Sequence, residues 1–208
     1  MIPLFVDLSG KRVVIFGGGT VAARKAVFFL QEADVWVVSR SFSRQLMALP
    51  VRRTILAVSA TADSKLTEII SGAFIVVAAL SDKSLNDHIG DLCKRNGILF
   101  NNADGKRGDL IVPSVSSGKR YTIAITTLGK SPAISRFMRE NLDERFELLD
   151  SMIELQDNLR TDLKRSCLTQ TERRSILWNI IRDPNVWDAL SRSQKEGERI
   201  AREKYLHG

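Results

Sequence analysis

Residues 17–22 read Gly-Gly-Gly-Thr-Val-Ala. Glycine at 17 permits a tight turn. Glycine at 19 lets the backbone approach a pyrophosphate, and Ala22 lets a helix pack close to a sheet. A helix starting there offers free N–H groups and a partial positive charge to phosphates. The same small residues also suit a tight turn in an α/β protein that binds no dinucleotide. The acidic residue that usually bonds the ribose diol is missing, because the second expected strand ends Ser39-Arg40-Ser41. Arg40 suits a 2′-phosphate or an adenine face, and equally a solvated loop charge. Ser39 and Ser41 keep hydroxyls for the ribose, so this position does not choose between NAD and NADP.

Two further groups carry chemistry. Asn101-Asn-Ala-Asp104-Gly105 follows the last expected parallel strand. Ligands of open α/β sheets bind beyond the carboxyl ends of the strands, which places Asp104 for proton transfer. An Asp before Gly is also an ordinary turn former. Asp109 lies on the same loop. Residues 126–132 read Thr-Thr-Leu-Gly-Lys-Ser-Pro. Ser131 is a good N-cap and Pro132 suits the first helical position, so a helix start explains both. Thr126, Thr127 and Lys130 add hydroxyls and a cation, a combination suited to a carboxylate or phosphate. Arg136 and Arg139 either extend that site or stand as solvated helix charges. His88 and His207 are the only histidines and make no metal-ligand spacing, so no fixed metal site is expected. Cys93 reads as a small buried residue rather than a nucleophile.

Alternating strands and helices must position these groups. Strands are expected at 12–16, 35–38, 55–58, 74–79 and 98–100, with helices after the glycine turn and around 64–70 and 84–95. Strands apolar on both faces, alternating with helices, predict a parallel sheet covered on both sides. Beyond residue 109 the pattern changes, with short strands expected at 110–112 and 121–127. From 131 the chain reads as helical, with Ile134, Phe137, Met138, Leu142, Phe146, Leu149 and Ile153 on one stripe. Thr169-x-x-Glu172 is a capping box, and Asp183-Pro184 ends the helix it opens. The expected organisation is α/β: a Rossmann-like domain over 1–113, a short β segment over 114–145 and a helical domain over 146–208.

The 208 residues carry 31 basic and 24 acidic side chains, a net charge of +7. An anionic partner is favoured. Basic runs are short and aromatics make up only 7%, which argues against a nucleic-acid groove of interleaved cations and stacking rings. Two cysteines exclude a disulfide scaffold, and no apolar run reaches a membrane span. A cytoplasmic protein without a membrane partner is expected.

In order, the motifs are Gly-Gly-Gly-Thr-Val-Ala-Ala-Arg-Lys (17–25), Ala-Ala-Leu-Ser-Asp-x-x-x-Asn (78–86), Asn-x-x-Asp (101–104) with Pro113-Ser114, and Thr-Thr-Leu-Gly-Lys-Ser-Pro (126–132). Together they closely resemble the precorrin-2 dehydrogenase / sirohydrochlorin ferrochelatase family, the siroheme synthases. The likeness covers essentially the whole chain, including Glu172-Arg173-Arg174 in the tail. It implies NAD-dependent oxidation of the tetrapyrrole precorrin-2 to sirohydrochlorin. In bifunctional members it also implies insertion of ferrous iron to give siroheme. It implies a homodimer formed through 114–145, with no nucleic-acid partner. By position it assigns Gly17, Gly19, Thr20, Val21, Arg40, Ser41 and Ala79 to the cofactor and Asp104 to catalysis. Thr127, Lys130, Ser131 and Arg136 fall on the substrate side. Thr127 stands where the family has serine, so a role resting on serine chemistry does not carry over. Residues 101–139 hold seven cations (Lys106, Arg107, Lys119, Arg120, Lys130, Arg136 and Arg139) against Asp104 and Asp109. That concentration suits a polycarboxylate substrate. The alternative is a non-catalytic, NAD-responsive Rossmann protein with a nucleic-acid-contacting helical tail.

Overall fold

The computed structural model describes residues 1–104 and 107–206. The expected cation Lys106 and the second histidine, His207, lie outside the described residues. The chain divides into two compact units, Met1–Val112 and Pro113–Gly208.

The first unit runs β1 (Arg12–Phe16), α1 (Thr20–Phe29), β2 (Asp34–Ser39), α2 (Arg44–Met47), β3 (Arg52–Ile55), α3 (Asp63–Ile70), β4 (Ile75–Ala78), α4 (Lys83–Arg95) and β5 (Leu99–Asn102). The strands form a parallel sheet in the order β3-β2-β1-β4-β5. Alternate residues of β1 enter different cores. Val13 and Ile15 pack with Ala22, Ala26, Val35 and Val37, whereas Val14 and Phe16 pack with Val38, Val76, Ile89 and Leu92. This is why the strand sequences read as unbroken apolar runs. The chain reverses direction of winding at β1/β4, and Phe16 lies in register with Val38 on one side and Ala78 on the other. A crevice therefore opens beyond the carboxyl ends of these strands.

Two expected elements shift. The third strand lies at 52–55 rather than 55–58, and it starts with two arginines. It is an edge strand. The Arg52 guanidinium lies 4.0 Å from the Trp36 ring, and Arg53 donates to the carbonyls of Leu46 and Leu49 at 2.9 Å each. Long cationic stems cover the sheet edge there, so the apolar signal is absent. Residues 110–112 form no strand. Instead the Asp109 carboxylate accepts the Phe100 N–H at 3.1 Å, and the Asn101 amide donates to the Leu110 carbonyl at 2.9 Å. With the Leu110 N–H donating to the Phe100 carbonyl at 3.2 Å, one backbone bond and two side-chain bonds stand in place of a regular ladder beside β5.

The second unit begins with an antiparallel pair, β6 (Ser114–Ser117) and β7 (Thr122–Ile125). The Asp150 carboxylate fixes its turn by accepting the N–H groups of Lys119 and Arg120, at 2.7 Å each. Helices α5 (Pro132–Arg145), α6 (Leu149–Leu163), α7 (Gln170–Arg182), α8 (Pro184–Arg192) and α9 (Gln194–Tyr205) follow. Ser131, Thr169, Asp183 and Ser193 each cap a helix with a side-chain oxygen, and the Thr169–Glu172 capping box is complete. The core holds Met152, Leu155, Leu159, Ile180, Val186, Leu190 and Ala201. The stripe from Ile134 to Ile153 is not one helix, since α5 ends at Arg145 and α6 starts at Leu149. Its first members are not core either: Ile134, Phe137 and Met138 are 50%, 61% and 45% exposed.

Candidate dinucleotide-binding site

The crevice of the first unit has a volume of roughly 660 Å³. Its floor is the glycine turn, and each glycine has a separate reason to be there. Gly17 has φ +130°, and a Cβ would overlap the Ala79 carbonyl. A Cβ on Gly18 would overlap the Ser41 carbonyl, while the Ser43 N–H donates to the Gly18 carbonyl at 2.7 Å. The loop after β2 thus clamps the turn. Gly19 differs, because a Cβ there meets nothing within 4 Å. Space has been left beside the backbone at the start of α1.

Gly19 is also the N-cap of α1 and supplies no side-chain cap. The first N–H groups of that helix face a crevice lined by Thr20 and Val21. Helix polarity and unsatisfied donors make this a site for a pyrophosphate. Ser39, Arg40 and Ser41 line the wall at the end of β2, with Leu56, Ala57 and Val58 beside them. Ala79, Leu80 and Ser81 form the opposite wall. No carboxylate stands at the end of β2. Open space at Gly19, an uncapped helix start and hydroxyls beside an apolar wall fit a dinucleotide.

Asp104 lines the same crevice. The Ala103 N–H donates to the Ala78 carbonyl at 2.9 Å, and the Asp104 N–H donates to Asn102 Oδ1 at 3.1 Å. Buried Asn86 joins two loops. Its amide donates to the carbonyls of Leu80 at 3.0 Å and Asp104 at 3.2 Å, and its Oδ1 accepts the Leu80 N–H at 3.0 Å. The Asp104 carboxylate itself is exposed and lies 3.1 Å from Lys83 Nζ. Sequence reasoning missed Lys83 and the stapling role of Asn86. An Asn eight residues after the end of β4 was the available signal for Asn86; nothing in the spacing marks Lys83.

The loop at 126–132 belongs to the second unit. Leu128 has φ +55° and Gly129 φ +82°. The Thr127 hydroxyl accepts the Ser131 N–H and donates to the Ser131 carbonyl, both at 2.9 Å. The Ser131 hydroxyl accepts the Ile134 N–H at 3.3 Å. The Thr127 hydroxyl is therefore spent within the loop, and that of Ser131 caps α5. Arg136 pairs with Glu140 at 2.7 Å, and Arg139 with Asp143 at 2.8 Å. Lys130 is exposed and has no ion pair among the described residues.

The other reactive types stand apart. Burial, aided by the nearby Asp109 carboxylate, pushes the Cys93 thiol up to about 12, so it is no nucleophile at neutral pH. His88 Nε2 lies 2.6 Å from Asp63 Oδ1 between α3 and α4. Burial and the neighbouring Arg24 lower the Lys25 ammonium to about 8. Among the described residues no cluster of three His, Cys, Asp or Glu is placed to hold a metal.

The sheet order, the glycine turn and the crevice at the switch point define a dinucleotide-binding α/β protein. Residues 4–114 match the family described as putative NAD(P)-binding. The chain is 42% identical over 205 residues to a precorrin-2 dehydrogenase of Methanosarcina barkeri, covering 95% of this chain and 91% of that one. It is 29% identical to a siroheme synthase of Nitrosococcus oceani, spanning all of this chain but only 44% of that protein. Among solved structures, SirC, a precorrin-2 dehydrogenase, superposes with a TM-score of 0.72 at 27% identity, covering 99% of this chain and all of that one. The chain belongs to the precorrin-2 dehydrogenase family.

Proposed function

We propose that the protein oxidises precorrin-2 to sirohydrochlorin with NAD as hydride acceptor. The observation that carries this is the crevice: an uncapped helix start beside open space at Gly19, with Asp104 lining the same crevice. NAD, when bound, supplies the acceptor for one hydride. The turn orients the pyrophosphate through the α1 N–H groups. Thr20 and Val21 line its edge, and the Ala79 backbone closes the far side. Arg40 and Ser41 meet the adenosine end.

Asp104 takes the proton that leaves the macrocycle with the hydride. One hydride and one proton depart, and the macrocycle gains one double bond. Lys83 holds the carboxylate at the mouth of the crevice, and Asn86 holds the backbone beneath it. On the second unit, Lys130 is one candidate contact for a substrate carboxylate. Thr127 and Ser131 shape its loop, and Arg136 contributes only by exchanging Glu140 for a substrate carboxylate. Purified protein given precorrin-2 develops sirohydrochlorin absorbance with NAD and not without it; equal rates in both would overturn the reading.

Iron insertion is the further activity that the resemblance implies. The longer siroheme synthases share this chain over less than half their length. Ferrous iron with sirohydrochlorin in the absence of NAD measures it separately. A homodimer is part of the proposal, supported by the exposed Ile134, Phe137 and Met138 on α5. A sedimentation mass of one chain removes it. A cytoplasmic location is likewise proposed; among the described residues no helix is long and apolar enough to cross a membrane.

A further inference from the structure

The second unit has a groove of roughly 600 Å³ between α6 and α7. Ile153, Asp157, Arg160 and Lys164 face it from α6; Arg174, Trp178 and Ile181 face it from α7. The stripe from Ile153 to the C-cap Lys164 spans twelve residues, eleven steps or about 16 Å at ~1.5 Å per residue. It is separate from the stripe of Met152, Leu155 and Leu159 that builds the core. The floor is apolar, with Leu163 and Leu177 lining it, and Trp178 is 47% exposed with the Arg182 guanidinium 5.2 Å from its ring centre.

The rim is cationic. Six arginines of the unit lie in ion pairs, as Arg199 does with Glu203 and Arg202 with Asp162. None of those six lines the groove. Arg160, Lys164 and Arg174 have no ion pair among the described residues, and Asp157 is the one carboxylate lining the groove. Arg173 is held by the Leu168 carbonyl at 3.1 Å. An apolar floor inside a rim of unmatched cations recognises a flat apolar ring that carries carboxylates at its edge. A small acid would leave the floor unused, and a neutral ring would leave the rim unused.

We propose that this groove binds the tetrapyrrole polycarboxylate, with the ring over Trp178 and Ile153 and its carboxylates on Arg160, Lys164 and Arg174. The choice of ligand rests on the dehydrogenase reading above; the groove itself does not. The test is equilibrium dialysis of sirohydrochlorin under anaerobic conditions. Arg160→Glu with Arg174→Glu weakens binding at least about tenfold, because two charge-assisted contacts become repulsive. A control pair outside the groove, Arg145→Glu with Lys195→Glu, removes the same net charge and weakens binding less than about threefold, the size of a screened surface effect. All four side chains are exposed, so melting temperatures stay near wild type. Should the glutamate pair not fold, Arg160→Gln with Arg174→Gln gives the same ordering.

Binding by the groove pair within threefold of wild type overturns the proposal. So does an equal loss in the control pair, or no binding by wild type. If the groove variants bind normally while wild type still oxidises precorrin-2, only this proposal fails. If the groove binds sirohydrochlorin but wild type oxidises nothing, only the dehydrogenase reading fails.

Discussion

The two units build recognition from different materials. In the first, the cofactor crevice is made largely of backbone: three glycines, the start of α1 and strand ends fixed by the sheet register. In the second, every candidate contact is a side chain on a helix or a capped loop. Backbone sites inherit their geometry from the fold and tolerate few substitutions at the turn itself. Side-chain sites are held by local pairs such as Arg136–Glu140, and each can be removed without disturbing the element beneath.

The glycine turn offers the sharpest way to break that contrast. Gly18→Ala forces a methyl into the Ser41 carbonyl. Dinucleotide affinity falls by more than about 100-fold and the melting temperature drops with it, as expected where backbone must move. Gly19→Ala meets no protein atom. It keeps the melting temperature and loses affinity alone. Calorimetry with NAD on both variants measures the difference. A Gly19→Ala protein that binds NAD normally would show that the open space serves no ligand.

The second unit has one contact resembling the first in stringency. Asp183 is 5% exposed and caps α8, while accepting from Lys204 Nζ at 2.6 Å and Tyr205 Oη at 2.9 Å. Asp183→Asn costs about 1–3 kcal/mol in chemical denaturation, the price of a charged partner left unmatched. Dinucleotide affinity stays unchanged. Lys204, with the Asn185 N–H and the Tyr205 hydroxyl, holds this carboxyl below the usual aspartate range. Its folded value is depressed, so its stabilisation is complete above the unfolded value near ~3.9 and is lost as pH falls through the folded value. Wild type therefore loses more stability than Asp183→Asn over that acid range.

A smaller effect belongs to the first unit. Lys25 is partly buried and disfavours its charged form. The folded value is the lower one, so the destabilisation is full below about 8 and fades as pH rises toward the unfolded value. Lys25→Met is thus more stable than wild type at pH 7, and the difference narrows by pH 9.5. Denaturation midpoints at the two pH values check the sign.

Legibility followed the same division. The parallel sheet and the glycine turn were readable because β1, β2 and β4 are buried on both faces and carry unbroken apolar runs. The edge strand was misplaced because Arg52 and Arg53 hide its pattern. The strand expected at 110–112 is reduced to one backbone bond, from the Leu110 N–H to the Phe100 carbonyl, flanked by the side chains of Asp109 and Asn101, which no periodicity reports. The capping-box motif found the cap at Thr169, and Asp183-Pro184 marked the end of α7. Helical spacing reported less. It placed Ile134, Phe137 and Met138 on one stripe, which records that they share a face and not whether that face is covered. Lys83 was invisible because its role comes from α4 starting opposite the end of β5, a matter of topology alone.

The measurement that bears most directly on the account is the rate of the Asp104→Asn variant with precorrin-2 and saturating NAD. Loss of the base lowers kcat by about 10²–10⁴-fold, with NAD affinity unchanged because the turn is intact. Wild-type turnover in Asp104→Asn would contradict the account and take the carboxylate out of the mechanism.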